Sequence, residues 1–190
     1  MKKVLVLKTS INAISITNTM LEKFLEIYKD KNSEDQIITL DLNDENLIPL
    51  TKNNFQDYFQ FKKAEEYIQL LKEVDKIIIC APMYNFNIPV TLKIFFDMVA
   101  QAKKTFLYKY DGKNLSKGLL DHLSVQIISS QGAPIEWYEW ADTSFYVSKM
   151  CEFLGMKISG IAKFAGAKIA NFKFEEVDFV SLVKQDALNF

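Results

Sequence analysis

The run Ile77-Ile78-Ile79-Cys80-Ala81 is apolar at every position, and it reads as a strand buried in a core. Residues 82–89 follow it directly and spell Pro-Met-Tyr-Asn-Phe-Asn-Ile-Pro. An amphipathic helix is expected next, over 89–100, with Pro89 fitting the first turn, where a missing N–H loses no partner. A strand–loop–helix junction of this kind lies at the carboxyl edge of an open α/β sheet, where ligands bind. The loop carries two aromatics, two amides and no charge. That set is odd for a surface connector and suits the edge of a flat, polar heterocycle.

The same alternation runs through the chain and argues for α/β with a mainly parallel sheet. Strands are expected at 3–8, 36–41, 76–81, 122–129 and 157–164, and helices near 17–29, 55–72, 89–100, 143–154 and 174–188. In the second helix Phe61, Ala64, Ile68 and Leu71 recur at helical spacing. Residues 105–118 break the rhythm and read as a hairpin or flap, with Asp111-Gly112 as its turn signal. Five strands in βα units fit the flavodoxin-like order 2-1-3-4-5 by analogy, as one domain over 1–190.

Charge removes several classes of function. Lys and Arg number 23 against 24 Asp and Glu, a net charge of −1, so no basic face speaks for nucleic acid. The same balance argues against a strongly acidic electron carrier serving protein partners. The apolar run Val4-Leu5-Val6-Leu7 ends at Lys8 and is too short for a signal peptide. No segment approaches the ~20 apolar residues of a membrane span. The two cysteines, Cys80 and Cys151, form no metal or redox spacing and read as buried thiols, so a reducing cytoplasm is expected.

Three loops converge at one edge of such a sheet. The first, Thr9-Ser10-Ile11-Asn12-Ala13-Ile14-Ser15-Ile16-Thr17-Asn18, is rich in hydroxyls and enters a helix N-terminus, which favours an anion. Plain helix capping by Ser15 or Thr17 is the other reading. The loop has neither Gly-x-Gly-x-x-Gly nor Gly-Lys-Ser/Thr, which disfavours a dinucleotide fold and a P-loop. The second loop is 82–89, for which core packing of Tyr84 and Phe86 is the alternative. The third, Ser129-Ser130-Gln131-Gly132-Ala133-Pro134, has small residues that permit close backbone approach. A phosphate site, a flat slot and a small-residue loop together describe a flavin mononucleotide (FMN) site.

These stretches closely resemble the FMN-dependent NADH-azoreductases, a flavodoxin-like family, and the likeness runs nearly the whole chain. Leu92-Lys93, Phe96-Asp97, Thr105-Phe106 with Tyr108, and Phe153-Leu154-Gly155 add to it. The resemblance implies a homodimer with bound FMN near the subunit interface, NADH as donor, and quinones or azo compounds as acceptors. The cycle expected on that footing is hydride transfer to and from flavin N5 in two half-reactions at one pocket. By position, Ser10, Ser15 and Thr17 match phosphate-binding hydroxyls, with Ile16 offering backbone, and Met83, Tyr84, Asn85 and Phe86 match the ring-lining loop. Ser130, Gln131, Gly132 and Ala133 fall where the family has a Ser-Arg-Gly-Gly-like stretch. Gln131 for Arg loses a charge, and Ala133 for Gly adds a methyl. The 136–140 segment, Glu-Trp-Tyr-Glu-Trp, also departs from the family's form.

Phe86, Tyr108 and Phe153 are the expected aromatic pocket walls, the last two reaching the partner's site; core packing is the alternative for Phe153, and an exposed aromatic for Tyr108. No acid or base is compelled. His122 lacks a nucleophile elbow and reads as structural. Glu65-Glu66 and Glu175-Glu176 are adjacent and point apart on a helix. The competing readings are an NADPH-preferring FMN or quinone reductase using Lys103, Lys104 and Lys109, an electron carrier, and a regulatory domain that keeps the fold without flavin.

Overall fold

The computed structural model describes residues 1–110 and 115–190. The chain runs β1 (Lys3–Lys8), α1 (Ile16–Lys31), β2 (Gln36–Asp41), α2 (Lys62–Glu73), β3 (Lys76–Pro82), α3 (Val90–Val99), β4 (Phe106–Tyr110), β5 (Leu115–Gly118), β6 (Ser124–Ser130), α4 (Thr143–Phe153), β7 (Lys157–Phe164) and α5 (Phe179–Asn189). Five strands pair in parallel in the order β2-β1-β3-β6-β7. With the β4–β5 hairpin set apart, this is the expected 2-1-3-4-5 order.

Side-chain alternation divides the core between two faces. Leu5, Leu7, Ile77, Ile79, Val125 and Ile127 point to the layer of α2, α3 and α4, meeting Ile68, Leu71, Phe95, Phe96 and Val147. Val4, Val6, Ile78, Cys80 and Ile128 point to α1 and α5, meeting Met20, Phe24 and Val183. The run at 77–81 is unbroken because β3 is central and both its faces are covered. Burying each such Ile or Val contributes about 1.5–3 kcal/mol, so the strand ends above it are fixed in place.

Three expectations need correction. The second helix starts at Lys62, not near 55, because Phe61 is extended (φ −60°, ψ 129°) and Tyr58–Gln60 is a short 3₁₀ turn. Tyr58 is wholly buried and packs edge-on against Phe59 and Phe61 at 5.4 and 5.7 Å. That ring cluster dictates the backbone there. The last helix likewise starts at Phe179, where the Asp178 carboxylate accepts from the Ser181 N–H at 3.1 Å. β6 starts at Ser124, leaving His122 before it; its Nε2 lies 3.2 Å from the Leu71 carbonyl, a structural contact as expected.

The hairpin is present, pairing Phe106 with Gly118, Leu107 with Lys117 and Tyr110 with Leu115. Its expected Asp111-Gly112 turn lies outside the described residues. Its root rests on the turn after α4: a Cβ built on Gly118 would stand 2.0 Å from the Gly155 nitrogen, and Gly155 has φ +95°. Two glycines therefore let two backbones touch. Among the described residues no helix is long and apolar enough to cross a membrane.

Candidate functional site

The loops after β1, β3 and β6 meet at the carboxyl edge of the sheet around a cleft of about 470 Å³, a size typical of small-molecule sites. Nine of the twelve sequence-predicted binding residues line it: Ser10, Ser15, Ile16, Met83, Tyr84, Asn85, Ser130, Gln131 and Gly132.

One end is the N-terminus of α1. Ser15 caps it, its Oγ accepting from the Asn18 N–H at 3.2 Å. The capping reading of Ser15 is thus met, and its hydroxyl proton is left to donate into the cleft. Among the described residues the N–H groups of Ile16 and Thr17 find no acceptor, as a first helical turn leaves them. Thr17 stands outside the cleft lining. Its side chain is fully buried and its hydroxyl pairs with Ser130 Oγ at 2.7 Å, tying α1 to the end of β6.

The other end is a tight turn. Tyr84 and Asn87 exchange backbone hydrogen bonds at 2.9 and 3.1 Å, leaving Asn85 and Phe86 at φ +47° and +66°. Both central residues are left-handed, as in a two-residue hairpin turn. Asn tolerates this; an ordinary L-residue such as Phe is strained by about 1–2 kcal/mol. The strain lifts Phe86 out of the cleft lining, to 45% exposure, where its ring meets Tyr138 at 4.9 Å and Trp140 at 5.0 Å. The Tyr84 hydroxyl accepts from the Ile11 N–H at 2.9 Å and lies 3.4 Å from Ser10 Oγ, joining the two ends of the cleft.

The third wall is braced from β7. The Gln131 N–H donates to the Phe164 carbonyl at 2.9 Å, and the Lys168 N–H to the Gly132 carbonyl at 2.8 Å. Gln131 turns its amide back on its own loop, Nε2 donating to the Ala133 carbonyl at 3.0 Å. Ala133 is not in the lining.

Sequence reasoning missed the segment after β7, which brings Lys168, Phe172 and Phe174 to the cleft, and it missed Asn12 and Ile14 in the first loop. Their one sequence signal was the sheet order, which seats β7 beside β6. Two aromatic candidates lie elsewhere. Phe153 packs on Phe106 at 4.8 Å against the core, its alternative reading. Tyr108 is 69% exposed on the hairpin, beside a separate groove with Phe59 and Gln101. Burial pushes the Cys80 thiol up to about 12, so it offers no nucleophile at neutral pH.

A family model for the flavodoxin-like fold matches residues 2–178. The chain belongs to this flavodoxin-like family. Among curated relatives, the FMN-dependent NADH:quinone oxidoreductase of Mycoplasmopsis pulmonis (strain UAB CTIP) is 46% identical over 162 residues, 84% of this chain and 82% of that protein. The protein of the same name from Mycoplasma mobile is 39% identical over 199 residues, covering 100% of this chain and 98% of that one. Among solved structures, an azoreductase from Bacillus anthracis str. Sterne superposes with a TM-score of 0.84 at 23% identity, over 99% of this chain and 98% of that one. An FMN-dependent NADH-azoreductase from Bacillus anthracis str. Ames Ancestor, in complex with FMN, gives 0.80 at 22% identity, over 98% and 96% of the two chains. These structures share the flavodoxin-like fold with this chain.

Proposed function

We propose that this flavodoxin-like chain is an FMN-dependent NADH:quinone oxidoreductase that also reduces aromatic azo compounds. The observation that carries the reading is the chemical polarity of the cleft. One end offers the free N–H groups of Ile16 and Thr17 with the hydroxyls of Ser10 and Ser15. The other is an uncharged turn at Met83, Tyr84 and Asn85. A phosphate needs the first and a flat heterocycle the second, so the residues present fit FMN. Hydrogen bonds to a charged group contribute about 1.5–3 kcal/mol each, and this donor set suffices to seat the phosphate.

When bound, FMN supplies the two-electron chemistry that passes reducing equivalents from NADH to a quinone or azo acceptor. The protein positions and shields. Ser10, Ser15 and the start of α1 fix one end, and the backbone of 83–85 and 131–132 fixes the flat part. Phe86, Tyr138 and Trp140 form an outward aromatic platform beside the cleft, suited to flat molecules of varied structure because stacking tolerates substituents.

The reading includes a cytoplasmic homodimer in which Tyr108 serves the partner's site from the exposed hairpin, and NADH in preference to NADPH. Supporting the donor preference, Lys104, one of the three lysines considered for the extra phosphate, is engaged by Glu65 at 2.6 Å.

The test is the visible spectrum of the purified protein with FMN. A flavin band that NADH bleaches anaerobically, and that a quinone restores, is expected. Protein that neither carries FMN nor binds added FMN refutes the proposal. Sedimentation equilibrium tests the dimer, and initial rates with NADH and NADPH test the donor.

A further inference from the structure

We propose that Lys168 supplies the positive charge at the ring end of the cleft and thereby raises the reduction potential of the bound flavin. The inference rests on the FMN reading above.

Among the described residues Lys168 is the sole charged residue in the cleft lining, and no Asp or Glu lines it to oppose the field. Its place is fixed by the backbone: its N–H donates to the Gly132 carbonyl at 2.8 Å. Its side-chain stem lies along the same glycine, where a built Cβ would meet Lys168 Cγ at 2.7 Å and Cβ at 3.2 Å. Lys168 and the loop of Ser130 to Gly132 therefore form one wall. Among the described residues its ammonium has no hydrogen-bond acceptor or acid partner, whereas nearby Lys163 is held by Asp142 at 2.9 Å.

Gln131 stands where the resemblance expects an arginine, and its amide is engaged by the Ala133 carbonyl. The charge absent from the loop after β6 is supplied from the loop after β7. The two segments are neighbours because β6 and β7 pair.

Transfer of a hydride equivalent, two electrons and one proton, converts NADH to NAD⁺ and adds one negative charge to a neutral ring. A nearby cation favours the reduced form over the oxidised one. Lys168 is exposed, so salt screens its field. The expected effect is about a tenfold change in the ratio of affinities for reduced and oxidised flavin, or about 30 mV for a two-electron couple.

The experiment measures the potential of bound FMN, equilibrated against a reference dye, in the wild-type protein and in Lys168→Met and Lys168→Arg, at low and high salt. FMN and riboflavin affinities are taken alongside by fluorescence quenching. Expected are a potential about 30 mV lower in Lys168→Met, restoration by Lys168→Arg, and a wild-type potential that falls with salt towards that of Lys168→Met. The salt dependence of the wild type gives the same answer without any substitution. Equal potentials in all three proteins overturn the inference. So does a Lys168→Met protein that loses affinity for FMN but not for riboflavin at unchanged potential, because the cation then serves the phosphate. Failure of the wild type to bind FMN is a separate result and sinks the cofactor reading instead.

Discussion

Replacing Phe86 by glycine and by alanine separates backbone strain from side-chain contact. Both changes remove the ring and its contacts with Tyr138 and Trp140 at 4.9 and 5.0 Å, so those losses cancel in the comparison. What remains is the backbone at φ +66°. Alanine keeps the left-handed penalty of about 1–2 kcal/mol; glycine removes it and adds about 0.5–1 kcal/mol of unfolded-chain entropy. Phe86→Gly should therefore be more stable than Phe86→Ala by about 0.5–1 kcal/mol, the reverse of the usual order inside regular structure. For a chain of this size that is a melting-point gap of about 1–4 °C, and urea midpoints at constant m-value give the same difference. Phe86→Ala matching or exceeding Phe86→Gly in stability would refute the left-handed turn and the account of why Phe86 stands outside the cleft.

Ser10→Ala and Ser15→Ala should each weaken FMN by roughly tenfold or more while leaving riboflavin nearly unchanged, read by flavin fluorescence. Thr17→Val should instead lower the melting temperature and weaken FMN and riboflavin alike, because its hydroxyl serves Ser130. Trp140→Ala removes a ring that is 73% exposed and should raise the acceptor KM by about threefold to tenfold with little effect on FMN affinity, measured by steady-state kinetics. Glu45 accepts from Lys63 at 2.6 Å and from the Tyr67 hydroxyl at 2.8 Å, and these bonds lower its pKa below the ordinary 4.5. A depressed carboxylate contributes stability that is present above its unfolded pKa and lost as pH falls through the folded one. Denaturation midpoints of wild type and Glu45→Gln should therefore differ at neutral pH and converge in acid; a gap that persists in acid refutes the role.

Periodicity exposed what is local. An unbroken apolar run at 77–81 announces a central strand, and hydroxyls ahead of α1 announce an anion-friendly helix start. Contacts between distant segments were not legible. Thr17 and Ser130 are 113 residues apart, and nothing near Thr17 signals that its hydroxyl is engaged. Lys168 sits in a loop with no period or motif, and only the pairing of β6 with β7 carries it to Gly132. The expected helix start near 55 misled because Tyr58 is drawn into the core and bends the chain ahead of Lys62. Phe153 was open to two readings, and within one chain it packs against Phe106.

The meeting of Gly118 and Gly155 sets a limit on how this sequence can diverge. Neither position can take a side chain while the other's backbone stays where it is, since the added carbon at Gly118 would fall 2.0 Å from a main-chain nitrogen that no rotamer change can move. The two sites are thereby coupled, each closed to substitution while the other's backbone stays in place. The contact pins the root of the hairpin to the turn that leads into β7, so any side chain added at either glycine must move a strand end as well.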